Sequence, residues 1–344
     1  MLEQAETKAK RSHTGPGGLV WITWENQVRN ESMSRVLNAR LFVITDHGNR
    51  LARYLRCGWR TVAVLKQEQP AVVFAQNPSI VLILLLLVLR PLFGFTLVSD
   101  AHYVGVRSVR SRAYQRLLDT CNQMVDLVVV TNAEHKQHVE AIGGKAVICE
   151  DPLPEIEAYR VRREPDSVPR VLFICSFDTD EPLAVAFAAA RRLFPDGFRM
   201  LVTGNYRKGG IDPRDFPELT FLGYLPKADY YAELFYCAVV LDLTNYEGCL
   251  VCGAYEAMAA GKPLVTSDTA ALRAFFTQGT IFTRHDEREI AEAIKTAYRR
   301  RDELEKAIAV WKAEIQQHQQ ARKLSILRKL GVDEAEEVFA PSRQ

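Results

Sequence analysis

Residues 247–268 read EGCLVCGAYEAMAAGKPLVTSD, and the rest of the chain is read outward from them. Two glutamates, Glu247 and Glu256, bracket a run of small residues that closes on Gly261 and Pro263 before a short apolar segment. Glycine accepts the left-handed conformation at a helix end, and proline cannot continue the hydrogen-bond ladder. The pattern therefore predicts a helix from about Val251 to Ala260, with Glu247 in the loop before it and Glu256 on the helix. Backbone N–H groups of Gly248, Cys249 and Leu250 fall at the helix start, where amides and helix dipole favour an anion such as a diphosphate. A carboxylate suits a different target, because it accepts two hydrogen bonds and so matches a pair of sugar hydroxyls.

Around this stretch apolar strands alternate with helices. The first series runs from GLVWITW at Gly18 through RLFVIT, PAVVFAQNPS, the leucine-rich IVLILLLLVL (80–89), FTLVSDAH and VDLVVVTN, with helical spacing in the segments between. A second series begins at VLFICSF (171–177) and continues through FRMLVTG, LTFLGYL, AVVLDLT and KPLVTSD. Between them EDPLPEIEAYRVRREPDSVPR carries four prolines and many charges, the composition of a linker. The reading is α/β, two Rossmann-like domains facing across a cleft at the C-terminal ends of their strands. Its parts are a disordered leader (1–17), an N-terminal domain (18–155), a linker (156–169), a C-terminal domain (170–300) and a C-terminal helical segment (301–344) that packs back on the N-terminal domain.

Composition narrows the function. With 344 residues there is room for two cores, and 44 Lys+Arg against 42 Asp+Glu argue against a chain that coats nucleic acid. Seven scattered cysteines, mostly in apolar runs, read as reduced thiols; Cys249 and Cys252 form a C-x-x-C, but nothing completes a zinc site around them. The polar start MLEQAETKAKRSHTGPGG has no apolar signal core, so a cytoplasmic location is expected. The run IVLILLLLVL is too short to span a bilayer and reads as a buried or an interfacial helix.

At YEGCLVCGAYEAMAAGKPLVTSD the chain resembles the retaining glycosyltransferases of family 4, which have the GT-B fold and use nucleotide sugars. The resemblance covers roughly residues 18–300. It implies that Glu247 contacts the donor sugar, that Glu256 holds the ribose, and that the amides of Gly248, Cys249 and Leu250 hold the diphosphate. LVSDAHY resembles the family's strand end bearing a histidine at the reacting sugar, which falls on His102. WENQVRNES resembles the acceptor-side loop, with Glu25 and Arg29 as candidate contacts. The chain departs from the pattern twice. Eight residues separate Glu247 from Glu256 where the family has seven, and ICSFDTDEPL is acidic where the family places an Arg and a Lys for the diphosphate. Lys208 and then Arg207, in TGNYRKGG, are the candidate replacements.

Plainer readings stand beside these. Glu247 and Glu256 read otherwise as solvated helix-end charges, His102 as a turn histidine, and Lys208 and Arg207 as a polar turn. The sequence DTD at 178–180 suggests a metal site, but the Glu-Pro that follows makes Asp180 a helix cap. No metal or cofactor is expected, because the resemblance makes the nucleotide sugar a substrate held without one. The expected activity is transfer of a hexose from a nucleotide-diphosphate sugar to an acceptor hydroxyl, with retention. The expected acceptor is a saccharide, lipid-linked or a polysaccharide precursor, and the leucine run adds a candidate peripheral membrane contact. A GT-B nucleotide-sugar epimerase and a non-catalytic nucleotide-sugar-binding subunit remain the alternatives.

Overall fold

The structure, a computed structural model, describes residues 18–332 except 47, 78, 109, 110, 162 and 164–167. The expected leader at 1–17 and residues 333–344 of the C-terminal segment lie outside the described residues. The chain divides into two compact units, Met1–Val129 with Val139–Val147 and Leu327–Gln344, and Val130–His138 with Ile148–Ile326.

The first unit is built on β1 (Leu19–Thr23), β2 (Arg40–Val43), β3 (Val72–Asn77), β4 (Thr96–Ala101), β5 (Leu127–Val130) and β6 (Ala146–Ile148), in the order β2-β1-β3-β4-β5-β6. Its helices are α1 (Val28–Val36), α2 (Arg50–Glu68), α3 (Ile80–Phe93), α4 (Tyr103–Val106) and α5 (Arg112–Met124); α6 (Ala133–Ala141) belongs to the second unit as far as His138 and to the first from Val139. Central strands are mostly apolar, with polar residues at their C-terminal ends, because helices cover both faces of a parallel sheet; β1, β3 and β5 are buried at every residue, while the edge strand β2 is not. One strand is absent from the sequence reading, β6, which follows the glycines that stop α6. The helix α2 is capped by Asn49, whose side chain accepts from Ala52 N at 2.9 Å.

The second unit repeats the plan with β7 (Arg170–Phe173), β8 (Arg199–Thr203), β9 (Leu219–Gly223), β10 (Val239–Asp242), β11 (Leu264–Ser267) and β12 (Thr280–Thr283), ordered β12-β11-β10-β7-β8-β9. The helices are α7 (Leu183–Leu193), α8 (Lys227–Tyr236), α9 (Cys252–Ala260), α10 (Ala270–Phe275), α11 (Glu287–Arg299) and α12 (Arg301–Lys329). Every described strand pairing in both sheets is parallel. The helix α9 matches the sequence reading to within a residue and ends on Gly261 at φ 72°. Within this unit Trp311 of α12 is buried, and its Nε1 donates to Phe275 O at 3.1 Å. Lys312 Nζ reaches the last turn of α9 at Ala259 O, 2.7 Å away.

Strand order decides where chemistry can sit. In each sheet the order reverses once, between β1 and β3 in the first unit and between β7 and β10 in the second, and ligands of doubly wound sheets bind at the C-terminal ends of the strands flanking such a reversal.

At the first reversal lies a polar cluster. Thr23 Oγ1 donates to Gln76 Oε1 at 2.7 Å, Asn30 Nδ2 to the same oxygen at 2.8 Å, and Trp21 Nε1 to Asn30 Oδ1 at 2.9 Å. Next to it Arg29 forms a two-pronged ion pair with Asp100, Nε to Oδ2 at 2.8 Å and Nη2 to Oδ1 at 2.6 Å, with side chains 7% and 0% exposed. Removing one partner of such a pair strands the other charge without water. We expect Arg29→Ala to lower the unfolding free energy by about 3–5 kcal/mol in denaturant titration. A loss below about 1 kcal/mol, the range of a surface pair, contradicts the pairing.

Candidate active site

The second reversal brings together the loop after β7 (174–182) and the loop after β10 (243–251). They are tied to one another: Asn245 N donates to Asp180 O at 2.6 Å and Thr244 Oγ1 to Asp180 Oδ2 at 3.3 Å. Asp180 was expected to cap a helix. The N-cap of α7 is instead Pro182, with no side-chain cap, and Asp180 serves as the clasp between loops.

The acidic loop after β7 folds around Glu181. Its Oε1 accepts from Ser176 N at 2.7 Å and its Oε2 from Asp178 N at 3.1 Å. Backbone amides after the first strand of such a unit ordinarily receive a phosphate; here a carboxylate of the chain takes them. Burial raises the Glu181 pKa. The neighbouring Asp178 is paired with Lys208 and held below the usual carboxylate range by that ammonium. Lys208, expected to supply the charge for a diphosphate that the acidic loop lacks, is paired with a carboxylate of that loop. Arg207 lies beside it, exposed, with its guanidinium 5.9 Å from the Tyr206 ring centre.

At the start of α9, Asp242, the last residue of β10, is buried against the helix; its Oδ2 has no hydrogen-bond partner among the described residues, and Ala254 N donates to Val251 O at 3.2 Å. A Cβ at Gly253 would stand 2.5 Å from Asp242 Oδ2, so the small residue lets helix and carboxyl approach. Burial first, then the charges of Glu181 and Glu256, push the Asp242 pKa well above the usual carboxylate value.

Glu256 sits one turn into α9 and is half-buried. Tyr230 Oη donates to its Oε2 and Tyr231 Oη to its Oε1, the latter at 3.3 Å. Burial outweighs these two donors and raises its pKa. Each carboxylate oxygen accepts two hydrogen bonds, so a pair of hydroxyls still has room. The tyrosines come from α8, whose KADYYAEL stretch carries them side by side, and sequence spacing offered no reason to aim them at Glu256.

Glu247 lies exposed in the loop, accepting from Ala270 N at 3.3 Å at the start of α10. It borders a recess shared with Asn245, Asp268, Arg284 and His285. Ser267 Oγ takes Thr244 N at 2.9 Å and lies 2.8 Å from His285 Nε2, whose pKa burial lowers. Gly248 is buried: its carbonyl accepts from Asn132 Nδ2 at 2.8 Å, and a Cβ there would be 2.6 Å from His135 Nε2. Asn132 and His135 belong to the Val130–His138 segment of this unit and escaped the sequence reading. Their only signal is Asn-x-x-His at a strand end, where Asn132 Oδ1 caps His135 N at 2.8 Å. Of the three loop amides expected to meet a diphosphate, that of Cys249 is turned to Tyr246 O at 3.3 Å. Leu250 is half-buried beside it, and the thiols of Cys249 and Cys252 are free.

In the first unit His102 follows β4 directly at the N-cap position of α4, but its side chain makes no cap hydrogen bond. Glu25 is exposed after β1 and accepts from Gln27 Nε2 at 3.2 Å. Arg29, expected as an acceptor contact, is instead committed to Asp100. Among the described residues no group of three or more His, Cys, Asp or Glu is placed to hold a metal ion.

Residues 183–325 match a family model described as glycosyl transferase-like. No curated protein matches the chain in sequence. Among solved structures, Anabaena HepE in complex with UDP and glucose is 12% identical with a TM-score of 0.70, over 91% of this chain and 99% of that one. Sucrose-phosphate synthase from Thermosynechococcus elongatus is 16% identical, TM-score 0.66, over 84% and 82%. An α,α-trehalose-phosphate synthase (UDP-forming) from Burkholderia xenovorans, in complex with glucose-6-phosphate, is 15% identical, TM-score 0.65, over 84% and 80%. The chain thus has the GT-B fold. Its second half carries a glycosyl transferase-like domain, and α9 with its two flanking loops lies inside or beside it.

The buried carboxyl of Asp242 makes a signed prediction. Its folded pKa is raised, so its contribution to stability is fully present below the unfolded value and is lost as pH rises through the folded one. Asp242→Asn cannot ionise, so its unfolding free energy relative to the wild type's, from denaturant titration at each pH, should rise by a margin that widens from about pH 5 to about pH 8, by at most about 1.4 kcal/mol per pH unit. A margin that is constant with pH, or a loss of stability at both ends, would count against a raised pKa.

Proposed function

We propose that the chain transfers a hexose from a nucleotide-diphosphate sugar to a saccharide hydroxyl, with retention of configuration. The observation that carries this reading is Glu256, a carboxylate on α9 at the β7/β10 reversal, with both oxygens oriented by Tyr230 and Tyr231 and capacity left for a ribose diol. Glu247 is proposed to orient the donor sugar and the loop from Gly248 to Leu250 to receive the diphosphate. Lys208, exchanging Asp178 for phosphate, supplies a positive charge, with Arg207 beside it. His102 is the proposed catalytic residue of the first unit, with Glu25 on its acceptor side.

Departure of a nucleotide diphosphate leaves positive charge on the sugar ring and negative charge on the leaving oxygens, and preoriented carboxylates, amides and cations stabilise that separation. UDP and UDP-glucose bound to the structural neighbour HepE support a uridine nucleotide as donor. The acceptor we assign is a lipid-linked saccharide or a polysaccharide precursor, in the cytoplasm, which the free thiols support. The internal carboxylates of Glu181 and Asp242 favour a second reading, a subunit that binds nucleotide sugar without transferring it.

Thermal-shift measurement over a panel of nucleotide sugars, followed by release of free nucleotide with and without saccharide acceptors, separates these readings. A bound donor at about one hundred times its Kd should stabilise the wild type by about 2.7 kcal/mol. Glu256→Ala should bind it about tenfold or more weakly, a loss of about 1.4 kcal/mol or more. Acceptor-dependent nucleotide release supports the transferase, and a changed sugar without acceptor an epimerase. Binding with neither gives the non-catalytic subunit, and no shift with any nucleotide or nucleotide sugar sinks the whole assignment.

A further inference from the structure

Three helices of the first unit carry an apolar surface that the fold does not use. Leu82, Ile83 and Leu86 of α3 are buried, which accounts for one face of the leucine run. On the other face Leu84, Val88 and Leu92 recur every fourth residue and stand 38%, 69% and 76% exposed. Alongside, α2 repeats the pattern: Cys57, Thr61 and Leu65 face inward, while Leu51, Leu55 and Trp59 are each more than two-thirds exposed. These two helices touch, since a Cβ at Gly58 would stand 3.6 Å from Leu85 Cδ2. On the far side of α3, Arg90 Nη1 donates to Met124 O at 3.2 Å at the end of α5. Eight of the thirteen large apolar side chains exposed among the described residues stand on α2, α3 and α5.

Charge tells what covers this face. The three helices carry eight Lys or Arg and two Asp or Glu, and residues 18–129 carry thirteen against seven in a chain that is otherwise close to balance. Arg56 and Arg60 lie on the flank of α2 turned to the loop after β2, where Arg56 pairs with Asp46 and Arg60 donates to Thr45 O. Arg112 and Arg116 are exposed on α5. An exposed apolar stripe with a tryptophan and a basic surround fits the boundary of an anionic lipid layer, with the apolar side chains among the acyl ends and the arginines at the headgroups. Among the described residues no helix is long and apolar enough to cross a membrane, so contact is by lying on it.

We propose that the α2–α3–α5 face docks on an anionic membrane surface. This is independent of how the second unit binds its donor. Trp59 is the reporter, because it is 75% exposed while Trp21, Trp24 and Trp311 are buried. The full chain would be mixed with phosphatidylcholine vesicles with and without phosphatidylglycerol and followed by co-sedimentation and by quenching of Trp59 with brominated lipid. The expected result is binding to the anionic vesicles about tenfold or more tighter than to neutral ones, weakened by salt, with Trp59 quenched. Leu55→Glu with Val88→Glu should weaken binding by about tenfold or more while leaving the far-ultraviolet spectrum and the nucleotide thermal shift unchanged. Absence of vesicle binding, binding without quenching of Trp59, or binding indifferent to the double variant overturns the proposal. So does a concentration-dependent dimer that the double variant abolishes, which gives the face to a second copy of the chain.

Discussion

A buried carboxyl group at the end of β10 is the constraint on which the architecture at the second reversal depends. Asp242 is removed from water and lies against the start of α9, which has no side-chain cap. The helix can approach the carboxyl group only because Gly253 lacks a Cβ, which would stand 2.5 Å from Asp242 Oδ2. Once the helix start is fixed, Glu256 is carried to the tyrosines of α8, and Gly248 is pressed against Asn132 and His135.

The loop after β7 is governed by the same physics. Glu181 takes two amides that a phosphate would otherwise seek, Asp178 takes Lys208, and Asp180 holds the loop after β10. Three acidic residues in succession are thus each satisfied locally, which removes the cost of crowding them. The consequence is electrostatic: an anion entering here would meet carboxylates already in place. Burial of Asp242 and Glu181 favours their protonated forms and lessens that negative charge.

In the first unit a comparable polar cluster serves packing as much as chemistry. Arg29 and Asp100 neutralise each other at the reversal of strand order, beside amide side chains that bond among themselves. The apolar ridge on α2 and α3 lies on helices, whereas this cluster lies at strand ends, so the two surfaces have different origins in the fold.

Much of this was legible in the residues. Alternating apolar runs specified two parallel sheets because a strand covered on both faces has no polar side, and Gly261 with Pro263 marked the end of α9 because few other residues stop a helix so sharply. Glu247 and Glu256 could be singled out by their place around that helix. Spacing along the chain, however, does not report which groups meet across it. The pairing of Arg29 with Asp100, 71 residues apart, the burial of Asp242 against α9, the capture of Lys208 by Asp178 and the tyrosines around Glu256 all arise from strand order, which brings distant loops to one edge. The sequence determined the elements, their caps and the candidate carboxylates, since these follow from local conformation and hydrophobic period. Only the tertiary structure decided which charges are already spent on one another, because that depends on burial and on distances no local pattern encodes.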